Sequence, residues 1–170
     1  MLLTENELKP FIKKIEKGNK LDEKGKHQEA IKIYLDTWDE LPEPKLEQPE
    51  RIANWIMSSI VNCYIDLKDF LNAKIWAEKT LETERAKDLI NFYEYFQMGA
   101  IYFELNEYDK AMESYRKALE LDENDVSAYY NRGRILAYLG RYKEALKDFT
   151  NAINLEKYDE RLLYERAGIF

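Results

Sequence analysis

The chain has 170 residues, 45% of them hydrophobic and 35% charged, with a formal net charge of −7. That composition suits one domain with a sizeable core, or several small units sharing a core, and excludes a disordered chain. The acidic balance argues against a nucleic-acid partner, which needs a basic stripe to replace phosphate counterions, and favours a basic protein or peptide through steering.

Nearly every window reads as amphipathic helix. Apolar residues recur at helical spacing, β-branched alternation is absent, and Gly and Pro are sparse and placed at joints. The start, "MLLTENELKPF", holds no apolar run long enough for a leader or a membrane span, so a cytoplasmic location is expected. All four prolines (Pro10, Pro42, Pro44, Pro49) fall in the first 50 residues. "LPEPKLEQPE" must interrupt the helices, because Pro lacks the donor a helix interior needs. Later breaks are short: "KGK" at 24–26, "LKD" at 67–69, "LNE" at 105–107, "DEND" at 122–125 and "LGR" at 139–141. Gly140 suits a helix C-terminus that needs positive φ, and Asn106 can do the same less well.

One small residue follows each break between paired helices: Ala30, Ala73, Ala111 and Ala145, at separations of 43, 38 and 34 residues. Residues 92–125 and 126–159 match closely, 54–87 matches with four extra residues after it, and 11–44 matches more loosely. Residues 160–170 start a further unit and form a lone terminal helix, and 42–50 is a Pro-rich insertion. The third unit carries Tyr95, Gly99, Tyr102, Ala111, Tyr115 and Ala118, and the fourth Tyr129, Gly133, Leu136, Ala145, Phe149 and Ala152. The first has Gly18, Leu21, Ala30 and Tyr34 but Lys14 at an apolar position; the second has Val61 at the small position and Ala77 where an aromatic is expected.

These residues resemble the tetratricopeptide-repeat family, whose unit is a 34-residue helix–turn–helix. The resemblance implies an all-α, right-handed superhelical solenoid of antiparallel helix hairpins, forming a single domain over 1–170. It also implies a non-enzymatic scaffold or adaptor that binds a protein or peptide in its concave groove. Carried over by register, the first helix of each unit would present Asn19, Asp22 and Glu23; then Trp55, Ser58, Ser59, Asn62 and Asp66; then Tyr93, Phe96, Gln97, Ala100 and Phe103; then Ser127, Tyr130, Asn131, Arg134 and Tyr138; and finally Arg161, Tyr164 and Glu165. Tyr, Trp and Arg are the residue types of interface anchors. For Trp55, Phe96 and Phe103, display in the groove and burial in the core both stay open. The cations of a peptide-carboxylate clamp are missing in either frame: one offers Ile15, Asn19, Ser59, Tyr93 and Gln97, the other Ser58, Asn62, Gln97, Ser127 and Asn131.

"LPEPK" at 41–45, Trp55, "NF" at 91–92 and "FEL" at 103–105 are also similar to small bacterial tetratricopeptide proteins encoded beside polymorphic toxins. That implies, as an alternative, an immunity-type protein that neutralises its toxin by binding it. The Pro-rich stretch would be a specificity element, and the terminal "ERLLYERAGIF" either a cap or a handle for self-association through Ile169 and Phe170.

No catalytic residue, metal site or cofactor is expected. The single His27 sits at repeat position 17, where Tyr108 and Tyr142 sit later, and reads as packing in a turn. The single Cys63 excludes an intrachain disulfide and a Cys-rich zinc site, and its one possible His partner lies in another repeat. "DEND" lacks the alternate spacing, the Gly and the distal Glu of a calcium loop. No phosphate-binding glycine loop and no HExxH occurs.

Overall fold

The computed structural model describes residues 2–43, 45, 52–86, 92–156 and 160–168. Among the described residues there are nine α-helices: α1 Glu5–Asp22, α2 His27–Glu40, α3 Ile52–Asp66, α4 Phe70–Ala86, α5 Phe92–Glu104, α6 Tyr108–Leu121, α7 Val126–Tyr138, α8 Tyr142–Leu155 and α9 Glu160–Ala167. Two compact units result, Met1–Leu89 and Ile90–Phe170.

The hairpins α1–α2, α3–α4, α5–α6 and α7–α8 close through one repeated turn. Gly25, Lys68, Asn106 and Gly140 each adopt a left-handed φ, of 72°, 58°, 59° and 73°. After each, an amide reaches back five residues: Lys26 to Leu21, Asp69 to Tyr64, Glu107 to Tyr102 and Arg141 to Leu136, at 2.8–2.9 Å. The left-handed residue donates three residues back, as Gly140 does to Ala137 at 3.0 Å. This is a Schellman closure, which satisfies the last carbonyls of the first helix while reversing the chain. Two of the four positions carry a Cβ there, at a cost of about 1 kcal/mol each.

Inside each hairpin a small residue lies under a large one. A Cβ on Gly99 would stand 2.7 Å from the Tyr115 ring, and one on Gly133 would stand 2.9 Å from Phe149. Gly18 is likewise roofed by Tyr34. The second hairpin inverts the sizes, with Val61 in the glycine position and Ala77 in the aromatic one, both buried. The summed volume is partly conserved, and cores tolerate that kind of change best.

In the first unit, Leu8, Ile15, Tyr34, Trp38, Ile56, Met57 and Ile60 form one core across α1, α2 and α3. Helix α1 starts before the expected repeat boundary, and Leu8 in the added turns is fully buried. Pro10 lies inside this helix, not at a joint as the sequence reading had it. It is the sixth residue of the helix and exposed; its missing N–H forgoes the bond to the Asn6 carbonyl, which its ring also crowds. Lys14, the polar residue at an apolar repeat position, is half-buried and pairs with Glu40, while Ile15 beside it fills the core. In the second unit, Ala111, Tyr115, Leu119, Ala128 and Ile135 make one cluster, and Leu136, Ala145 and Phe149 another. Arg132 of α7 forms a two-pronged ion pair with Asp148 of α8, at 2.7 Å for each prong.

Candidate functional site

The outer faces of α5, α7 and α9 in the second unit gather most of the expected groove residues. With Gly99 and Gly133 turned into their hairpins, Gln97 and Asn131, two residues back, lie on the opposite side of each helix, while Phe96, Phe103 and Tyr130, three or four residues away, flank the glycine side. Tyr93 is 45% exposed and its hydroxyl accepts from Gln97 Nε2 at 3.1 Å. Phe96 is half-buried, 5.6 Å from both the Phe92 and Tyr115 rings. Phe103 is also half-buried, so neither ring is wholly core or wholly displayed: one side of each packs on the Tyr115 cluster.

Rings then run along this face. Phe103 lies 6.0 Å from Tyr108, and Tyr108 lies 5.1 Å from Tyr138. The exposed Arg134 guanidinium stands 5.6 Å from each of the Phe103 and Tyr130 ring centres. Tyr130 packs its ring on Phe149 and directs its hydroxyl toward Glu165 of α9 at 3.5 Å. Asn131 is half-buried beside it, while Tyr138 and Tyr164 are 71% and 80% exposed. A cation held between two rings gives a rigid flat surface whose conformational entropy is already partly spent. Arg161 lies among residues whose side chains are not described.

The first unit carries Trp55, Asn62 and Asn19 among its expected groove residues. Trp55 is 40% exposed on α3. Asn62 is half-buried on the same helix. Asn19 accepts a hydrogen bond from the buried Tyr34 hydroxyl at 2.7 Å, so it fastens α1 to α2. Lys79 stands over the edge-on Trp38–Trp76 pair, 4.2 and 4.7 Å from the ring centres, and burial pulls its ammonium down. Lys45, within the Pro-rich stretch, donates to the Trp38 carbonyl at 2.7 Å; positions 44 and 46–51 lie outside the described residues. Ile169 and Phe170 do too.

One grouping escaped the sequence reading. His27 does sit at the α1–α2 turn, with Nδ1 2.6 Å from Asp22 Oδ1, but Cys63 of α3 reaches the same carboxylate oxygen, its thiol donating at 3.1 Å. Sequence separation put Cys63 and His27 in different repeats, and stacking α3 against α2 brings them together. Burial first, and then the bond to Asp22, push the thiol well up, which leaves Cys63 protonated at neutral pH and a poor nucleophile. No described helix is long and apolar enough to cross a membrane.

A family model described as "Tetratricopeptide repeat" matches residues 126–159, and one described as "TPR repeat" matches residues 99–137. No curated protein matches the chain significantly. Among solved structures, YrrB, described as a TPR protein with an unusual peptide-binding site, is similar with a TM-score of 0.73 at 21% identity over 92% of this chain and 74% of that one. MamA from Desulfovibrio magneticus gives 0.81 at 13% identity over 94% and 82%. The TPR domain of Arabidopsis OM64 gives 0.63 at 26% identity over 69% and 93%.

Proposed function

The chain is a tetratricopeptide-repeat protein, and on that premise we propose that it is a non-enzymatic scaffold whose first-helix faces bind a protein or peptide. The observation that carries the reading is Arg134 held between Phe103 and Tyr130 on a face where Tyr93, Tyr138 and Tyr164 are exposed. The helix packing does not need these rings outside, because Gly133, Ile135 and Leu136 already fill the inner side of α7. Preorganised Tyr and Arg anchors of this kind contribute most of the affinity at protein interfaces. Trp55 on the first unit is a further anchor, and Asn62 lies beside the same face of α3. A net charge of −7 favours encounter with a basic partner. No described feature of either unit favours the toxin-neutralising alternative over a general scaffold.

The test is capture of partners from a lysate of the source cells, identified by mass spectrometry, with wild type beside the Tyr130→Ala/Arg134→Ala double variant. Removing two anchors should weaken retention of the specific partner at least about tenfold, with the far-UV helical signal unchanged. Equal retention by both proteins refutes the assignment of this face.

A further inference from the structure

We propose that Asp22, His27, Cys63 and Asp66 form a binding site for a thiophilic divalent metal ion of the zinc class. The four side chains come from three helices of the first unit: the end of α1, the start of α2 and the last turns of α3. One potential ligand atom from each of Asp22, His27 and Cys63 lies within 4.8 Å of the others. His27 Nδ1 is 2.6 Å from Asp22 Oδ1 and 3.8 Å from Asp66 Oδ2, and Cys63 Sγ is 3.1 Å from Asp22 Oδ1. A tetrahedron with zinc bond lengths of about 2.0–2.3 Å has edges of roughly 3.3–3.6 Å. The observed separations straddle that range, so small side-chain rotations suffice to admit an ion at the centre.

The second unit supplies an internal control. Repeat register places Asp22, His27, Cys63 and Asp66 where the later hairpin pair has Phe103, Tyr108, Ile135 and Tyr138. There the positions are an apolar cluster: Ile135 is fully buried, Phe103 and Tyr108 pack on it, and Tyr108 stacks near Tyr138. Stacking one hairpin on the next is therefore satisfied by hydrocarbon and rings. In the first pair all four positions carry instead a group able to ligate a metal. Four substitutions of one kind in one place are not required by the fold.

The donor chemistry selects the ion. A thiolate with an imidazole suits zinc or cobalt, whereas magnesium and calcium take oxygen ligands almost exclusively. Access is built in: the Cys63 side chain is buried, the Asp22 and His27 side chains are 27% and 22% exposed, and Asp66 at 53% faces solvent. On binding, the Cys63 thiol proton leaves to solvent as the sulfur–metal bond forms, and the imidazole binds as the neutral base.

Cobalt(II) titration of metal-stripped protein tests this. The expected result is one ion per chain, a thiolate-to-cobalt charge-transfer band, intense visible bands of a tetrahedral site, and displacement by zinc. His27→Gln and Asp22→Asn should each weaken binding at least about tenfold. Cys63→Ala should abolish the charge-transfer band. Zinc should raise the melting temperature of wild type more than that of His27→Gln at the same concentration. Folded wild type without the band, or binding unchanged in His27→Gln, overturns the proposal and leaves the cluster as hydrogen bonds to Asp22 alone. If Cys63→Ala does not fold, the His27→Gln and Asp22→Asn variants decide.

Discussion

Replacing Arg132 by Met keeps the aliphatic stem and deletes the guanidinium that grips Asp148. Both prongs are 2.7 Å long, and the Asp148 side chain is 4% exposed against 22% for Arg132. The carboxylate would be left inside the α7–α8 hairpin without its cation. Breaking a fully buried pair from one side costs about 3–5 kcal/mol. Here the Arg side reaches water, which can enter to solvate the orphan, so a loss of about 2–3 kcal/mol is expected. The pair itself contributes much less net stability, because both ions were desolvated to make it. Arg132→Met/Asp148→Leu should therefore recover to within about 1 kcal/mol of wild type. Urea unfolding followed by far-UV circular dichroism and by tyrosine fluorescence measures wild type and both variants and shows whether the transitions coincide. A single-variant loss below about 1 kcal/mol, or a double variant less stable than the single, refutes the reasoning.

The roofed glycines give a ranking: Gly→Ala gains about 1 kcal/mol of helix propensity but overpacks by about 1–3 kcal/mol. Thermal melts should show Gly18→Ala and Gly99→Ala destabilised, with Gly133→Ala, whose added Cβ stands 2.9 Å from Phe149, nearest to neutral. In the turns, Gly140→Ala at φ 73° should lower stability by about 1 kcal/mol, while Lys68→Gly at φ 58° should raise it by about 0.5 kcal/mol, both read from urea midpoints. Burial pushes the Tyr34 and Tyr115 phenols well up. The folded chain thus holds those protons after the unfolded chain has released them, and stability is present below pH ~10 and lost as pH rises beyond it. Tyr115→Phe should flatten the alkaline limb of a melting-temperature profile; an unchanged limb excludes Tyr115 as a source.

The helices and their turns were legible because stacking imposes a period. Gly18, Gly99 and Gly133 recur with Tyr34, Tyr115 and Phe149 for a steric reason that sequence spacing exposes directly. Pro10 was misplaced because residue type alone does not reveal that the helix begins a turn and a half before it. For Phe96 and Phe103 the choice between core and surface had no single answer, since each ring has one face on Tyr115's cluster and the other outward. For Asn19, register said nothing of the hydrogen bond its amide oxygen accepts from the Tyr34 hydroxyl, which only the packing of α1 on α2 reveals. The Asp22–His27–Cys63 grouping was hidden for a different reason. Its members are unremarkable singly, and only the packing of α3 on the α1–α2 turn makes them neighbours.

The inverted sizes of Val61 and Ala77 bear on how the chain chooses its own pairings while folding. Four hairpins of similar sequence could exchange helices. An α3 that met α6 would push Val61 into the space under Tyr115, and an α5 that met α4 would leave Gly99 facing Ala77 across a void. Either mismatch costs on the order of 1–3 kcal/mol, comparable with what one exchanged contact could return. The second hairpin is thus keyed to itself, and an engineer shuffling these units would have to move α3 and α4 together.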